Sequence, residues 1–396
     1  MSRGPLLGAL SAAHQLLLNL VESQPAEVVA RQYHPRLASL GWYLGRSLYE
    51  ELYWLREQLL GDVDLSERVR LFFEPEALPL GEQCARLPPK EHLLNWAREI
   101  LDEHLWRLAN PGQLPASPWL QDDRLLWFLI QEHARHYESM LQVLAQRRLL
   151  ESGSGYLVQK RLQAQPPRNH SLVVEQGHYR VGSRYEPQAY DNELPPQRLE
   201  LSRFRLAAHP VSNGEYLAFM TAGGYARPEF WTPAGWAWRQ DSGVTHPDHW
   251  RQDDQGHWYG LGLHGPCDLL ASEPVMGISQ YEAQACANWV ASLGGELAGA
   301  VLQHEYQWEV AVRLGLLQDY GRVWEWCGDP FHPYTDFVPW PAETVSVPYF
   351  DQDLPTRRGG SLHTQASLRR PSYRAWGRRE DRHGFTGMRL VFPPGD

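Results

Sequence analysis

The sequence predicts an α+β protein of two domains, and three observations carry that expectation. Residues 1–150 hold long stretches with apolar side chains at helical spacing. Residues 151–171, beginning "ESGSGYLVQKRLQAQPPRNH", break that pattern with Gly, Ser and Pro and read as a linker. Residues 172–396 change texture, with short β-rich pieces alternating with loops rich in Gly, Pro and Trp, the pattern of an α+β domain with little regular structure.

The N-terminal "MSRGPLLGALSAAHQLLLNLVES" reads as an amphipathic helix, because its apolar positions run past any plausible cleavage site. "PRLASLGWYLGRSLYEELYWLREQLLG" carries Leu40, Tyr43, Leu44, Leu48, Leu52 and Leu55 on one helical face and ends at Gly61. "PPKEHLLNWAREILDEHLWRLANPG" starts with prolines and stops at Asn110-Pro-Gly. "DDRLLWFLIQEHARHYESMLQVLAQRRLL" is acidic at its start and basic at its end, as the helix dipole favours. Together these predict an up-and-down bundle of about four helices. In the second domain "SLVVEQGHYRVGS" and "RLELSRFRLAAH" read as strands. Helices stand out around Asn213–Ala222 and Gln280–Leu293.

Composition narrows the function. Of 396 residues 43% are hydrophobic, and no run approaches the ~20 apolar residues of a membrane span. A net charge of −10 without a basic block argues against nucleic acid. Cys84, Cys267, Cys286 and Cys327 form no C-x-x-C pattern, which fits a reduced, cytoplasmic protein without a thiolate metal site. The 17 Trp and 18 Tyr fall mostly after residue 170. In "GWAWRQ" and "VWEWC" they read as core, since large aromatics supply buried area where regular structure is sparse. "RRGGS" and "GMRL" read as structural too, with glycines for unusual backbone and arginines tying loops to carbonyls.

The segment Phe128–Met140, "FLIQEHARHYESM", raises the question of a metal. Glu132 and His136 stand four apart on one helical face. His133 lies about 100° from Glu132 and about 60° from His136 around the axis. Imidazoles and carboxylates on one buried face are the raw material of a transition-metal site.

Several segments together resemble a known family. "YDNELPPQRLEL", "HPVSNGEYLAFMTAGGYARPEFWTPAGWAW", "PVMGISQYEAQACANWV", "HEYQWEVAV", "GRVWEWCGDPF", "RRGGSLHT" and "GFTGMRLV" resemble, in order, the formylglycine-generating-enzyme fold, a C-type-lectin-like domain. "LASLGWYLGRSLYEELYWLRE" and "LIQEHARHYESM" resemble the DinB-like four-helix bundle. Bundle plus lectin-like domain is the architecture of the ergothioneine-type sulfoxide synthases (EgtB and OvoA). The resemblance implies a mononuclear non-haem iron held by three histidines. It also implies O₂-dependent joining of a thiol to the imidazole of histidine or its trimethylated form. One ligand is expected from a W-x-L-x-H helix and two from an H-x-x-x-H-x-E helix.

The chain departs from that pattern at the iron. Trp42-Tyr-Leu-Gly-Arg46 puts Arg46 at the first ligand position, and Glu132-His-Ala-Arg-His136-Tyr-Glu138 puts Glu132 at the second. Only His136 matches. Arginine has no lone pair to offer a cation. At Trp376-Gly-Arg-Arg-Glu-Asp381, Gly377 and Asp381 replace the Asp and Arg of the thiol-binding W-D-x-x-x-R motif. "RGGSLHTQASLRRPSYR" lacks the cysteine pair of formylglycine generation. The expectation is therefore a cytoplasmic pseudoenzyme that binds an amino-acid-derived small molecule or a protein partner. No cofactor is expected, nor nucleic acid or a membrane. The alternatives are a C–S or C–Se bond-forming Fe(II) enzyme with a rearranged metal site, and a structural interaction module. Arg46 and Glu132 are expected to pair as ions beside a neutral His136. Tyr334, Arg374 and Asp381 are the expected substrate-facing groups.

Overall fold

The computed structural model describes residues 3–394 except 76, 111, 113 and 152–154. The chain forms two compact units, residues 1–151 with 365–368, and residues 152–364 with 369–396.

Among the described residues the first unit holds seven α-helices: α1 (Gly4–Glu22), α2 (Ala26–Ala30), α3 (Leu40–Glu51), α4 (Asp64–Phe73), α5 (Leu80–Ala85), α6 (Lys90–Ala109) and α7 (Arg124–Glu151). The long ones form a four-helix bundle in which α1 and α3 each pack against both α6 and α7. Burial of Leu40, Leu44 and Leu48 on α3, and of Leu52 just beyond it, follows the sequence periodicity. They join Leu17, Val21, Leu93, Leu101, Met140 and Val143 in one core. Ser39 caps α3 by accepting from the Trp42 N–H, leaving the rest of the first turn free to pack. The helix expected to run unbroken to Gly61 instead widens into a π-helical stretch, Leu52–Gln58, and Gly61 then ends it at φ 70°.

Among the described residues α1 is the one helix long and apolar enough, by length and composition, to cross a membrane, which the sequence reading did not expect. Here it is a bundle helix whose buried face carries Leu10, His14, Leu17, Leu18 and Val21.

Among its described residues the second unit has thirteen short strands. One sheet has the order β1 (Ser171–Val174), β4 (Phe204–Ala207), β13 (Leu390–Phe392), β8 (Val301–Leu302). A second has the order β11 (Ala375–Trp376), β10 (Pro355–Arg358), β9 (Trp324–Pro330), β12 (Thr386–Met388), with β9 and β12 parallel. β2 (Gly177–Val181) pairs with β3 (Gln197–Leu201), and β5 (Trp250–Gln252), β6 (Trp258–Gly262) and β7 (Gly265–Asp268) form a meander. The expected helices are α8 (Asn213–Thr221) and α10 (Gln280–Ser292), opened by the capping boxes Ser212/Glu215 and Ser279/Glu282. Sequence reading missed α9 (Pro233–Ser242), α11 (Glu305–Arg313) and α12 (Val347–Phe350).

Residues 155–170, expected as linker, belong to this unit. Tyr156 donates to Asp268, the Gln165 N–H to Gly214 O, and Arg168 pairs with Glu215. Burial of Trp324 and Trp326, with Trp236 and Trp238 packed against the same core, agrees with their reading as core aromatics. Gly359 and Gly360 of "RRGGS" adopt φ 98° and 81°, which the missing Cβ permits. Arg389 of "GMRL" donates to Ala207 O, Ala208 O and Gln318 O while pairing with Glu325.

Candidate metal centre

Two polar clusters interrupt the apolar interior of the bundle, and neighbouring residues on α3 and α7 supply both. Glu50 and Glu51 are consecutive, as are Glu132 and His133, so each pair diverges by about 100° around its helix. Glu50 and Glu132 turn to one cluster, Glu51 and His133 to the other.

The first cluster occupies the position where the family resemblance implies iron. Arg46 Nε donates to Glu50 Oε1 at 3.0 Å, Nη1 donates to Phe73 O at 3.0 Å, and Nη2 lies 2.9 Å from Glu50 Oε1. Glu132 accepts two hydrogen bonds from Arg135 Nη1, at 2.9 and 3.2 Å. The expected Arg46–Glu132 ion pair is thus replaced by two pairs, each within one helix. A partner three or four residues away is already in reach without any helix–helix register being satisfied. His136 Nδ1 lies 2.8 Å from Ser47 Oγ, and its Nε2 is 3.9 Å from Glu50 Oε1. Burial pushes the Glu50 carboxyl up to about 7, with Glu132 adding to the rise against the pull of Arg46. Burial also holds the His136 imidazole well below its ordinary value, helped by the Arg46 charge.

A three-histidine iron site does not fit these residues. Arg46 brings a fixed positive charge and no lone pair to the first ligand position, and its guanidinium is already engaged by Glu50. What remains is a carboxylate-rich set, Glu50, Glu132 and His136, whose ligand atoms lie within 4.8 Å of one another.

The second cluster is deeper and more complete. Glu51, fully buried, receives His14 Nε2 and His133 Nε2 on Oε1, each at 2.6 Å, and His104 Nδ1 on Oε2 at 2.8 Å. Each of α1, α3, α6 and α7 contributes one side chain. Burial pushes the Glu51 carboxyl up, but attraction to His14 and hydrogen bonds from the three imidazoles outweigh it and leave the group well below its usual range. Sequence reading considered His133 and missed Glu51, His14 and His104. The available signal was a histidine in the middle of an apolar helical stretch, "SAAHQLLL" and "ILDEHLWRL".

The expected substrate-facing groups lie elsewhere. Arg374 is buried in the second unit, gripping Glu305 through Nε at 2.8 Å and Nη2 at 2.6 Å, with Nη1 on Asn192 O and Nη2 on His332 O. Tyr334 is also buried, its ring 4.3 Å from the Arg374 guanidinium carbon. The structure brings these two together as core, because the buried Glu305 needs a counter-charge. Asp381, half-buried, accepts the Arg378 N–H in a turn.

Known proteins place these features in a family setting. Residues 158–320 and 312–393 match the model of the sulfatase-modifying factor enzyme 1-like domain. The hercynine oxygenase of Mycolicibacterium smegmatis is 29% identical over 99% of this chain and 99% of its own length. That of Mycobacterium tuberculosis is 30% identical over 97% of each. The formylglycine-generating enzyme of Thermomonospora curvata is 28% identical over 37% of this chain and 50% of its own length.

Proposed function

Because the chain belongs to the sulfatase-modifying-factor family and, along nearly its whole length, to the hercynine oxygenase family, we propose that it binds a small amino-acid-derived molecule of the hercynine type and no longer carries out iron-centred oxygenation. The observation that carries this reading is Arg46 at the first ligand position, with its charge engaged by Glu50. A cation there meets a guanidinium where the family pattern has an imidazole. The free thiols of Cys84, Cys267, Cys286 and Cys327 support a reducing cytoplasmic setting. The partner is a small molecule or a protein, not nucleic acid or a membrane.

A second reading has its own observation. Glu50, Glu132 and His136 lie close enough to share an ion, and a histidine-and-carboxylate set of that kind is one that oxygen-activating iron uses. That reading is a C–S or C–Se bond-forming enzyme with a rearranged site.

One set of measurements separates them. The protein, reconstituted anaerobically with Fe(II), is mixed with hercynine and a thiol, and O₂ consumption is followed alongside thermal stabilisation by hercynine alone. Stabilisation without hercynine-dependent O₂ consumption is expected. Turnover that disappears in His136→Ala would establish the enzyme. Neither turnover nor stabilisation would leave a structural interaction module.

A further inference from the structure

We propose that His14, Glu51, His104 and His133 form a divalent transition-metal centre inside the helical unit, distinct from the family's iron position. The cluster takes one side chain from each helix of the bundle, and its close donors are two imidazoles and one carboxylate, a combination suited to Zn(II) and its neighbours in the first transition row. The ligand atoms of His14, Glu51 and His133 lie within 4.8 Å of one another. An ion bonded at about 2.0–2.2 Å holds its donors farther apart than the 2.6 Å imidazole–carboxylate contacts, so it enters by small side-chain shifts that open them. His104 stands outside this trio and holds the other carboxylate oxygen of Glu51, its Nδ1 at 2.8 Å.

Charge separates this cluster from the buried glutamates of the second unit's core. Glu305, Glu309 and Glu325, equally buried, each hold an arginine. Glu51 holds none among the described residues, and its partners are imidazoles. A carboxylate removed from water needs a counter-cation, and three inward-facing imidazoles beside it are arranged to share one.

The rings have no second polar attachment. His14 Nδ1, His104 Nε2 and His133 Nδ1 are buried without a protein partner, so each imidazole is oriented by the centre alone. The His14 and His133 rings meet edge-on with centroids 5.2 Å apart, both directed at one carboxylate oxygen. An entry path also exists. A cavity of about 140 Å³ lies beside His14, lined by Ser11, Gln15, Glu22, Arg98 and Asp102 among others. His14, Glu51 and His133 hold the ion and His104 holds Glu51, so the centre ties four helices together.

The test uses the full chain, stripped with a chelator and then titrated with Zn(II) or Co(II). Wild-type protein should take up one equivalent that depends on His133, give the visible absorption of four-coordinate Co(II), and melt at a higher temperature with metal than without. His133→Phe should lose more than about 100-fold in affinity, beyond the ~10–100-fold that outer-sphere changes cost. Glu132→Gln, which alters only the neighbouring cluster, should keep the uptake. If His133→Phe does not fold, His14→Gln gives the same reading. Folded wild-type protein that takes up neither ion overturns the proposal. So does uptake that survives both His133→Phe and His14→Gln but is lost in Glu132→Gln, since the ion would then sit at the family position.

Discussion

Arg46 and Glu50, one turn apart on the same helix, form an ion pair, with Arg46 Nε 3.0 Å from Glu50 Oε1. Glu50 is buried, while the Arg46 side chain keeps 19% of its surface exposed. The pair therefore lies between the exposed regime of about 0–1 kcal/mol and the buried one of about 3–5 kcal/mol for a stranded partner.

Arg46→Met should destabilise the helical unit by about 1–3 kcal/mol, because it strands the buried Glu50, and Glu50→Gln should cost less, since burial already pushes that carboxyl up to about 7. The double variant should cost less than their sum by about 1 kcal/mol. Denaturant midpoints of the four proteins close the cycle. Strict additivity would mean that the two charges do not depend on each other.

Restoring the family pattern is the complementary experiment. Arg46→His with Glu132→His places three imidazoles at the positions of Arg46, Glu132 and His136. The double variant should gain one equivalent of Fe(II) over the parent, measured by metal analysis after anaerobic loading. Adding His136→Ala should remove that gain. No gain in a folded double variant would mean that the surrounding helices no longer hold the family's ligand geometry.

His136 makes stability sensitive to acid. Its imidazole is held well below the ordinary 6.5 by burial and by Arg46. Below pH ~6.5 the unfolded chain takes up a proton that the folded chain refuses, so folding stability falls with falling pH, by up to about 1.4 kcal/mol per unit. His136→Gln should flatten this dependence between pH 7.5 and 5.5 in urea titrations. An unchanged slope would assign the acid sensitivity to other groups.

Arg374 serves the interior of the second unit. Arg374→Met leaves Glu305 with only the longer contact to Arg358, at 3.2 Å. The expected loss is about 3 kcal/mol or more, read from unfolding of that unit. A loss below about 1 kcal/mol would remove Arg374 from the ionic lattice of the core.

The sequence made the long helices legible because their signals are local. The Leu40–Leu55 stripe, the Pro88-Pro89 start and the Asn110 stop each act within a few residues, and α3 and α6 fall where they point. The residues at the first ligand position and on the H-x-x-x-H-like helix were equally readable, since Arg46, Glu132 and His136 are fixed by spacing. Their partners were not. Glu50 outcompeted Glu132 for Arg46 because a neighbour one turn away needs no cross-helix alignment. His14 and His104 lie 119 and 29 residues from His133, so only the rotation of packed helices brings them to Glu51. Helices α9 and α11 escaped notice because their stretches carry aromatics much as the loops around them do.

The wide turn at Leu52–Gln58 sets a boundary on how this helix tolerates insertion and deletion. A π-turn amounts to an α-helix carrying one residue more than its register requires. Deleting one residue there would restore a continuous α-helix and leave the residues beyond it at their present azimuth, whereas the same deletion in a flanking α-helical turn would swing everything beyond it by about 100°. Arg46, Glu50 and Glu51 all precede the turn and would keep their azimuth. The half of the helix that bears the charged clusters is therefore insulated from length changes in the half that does not.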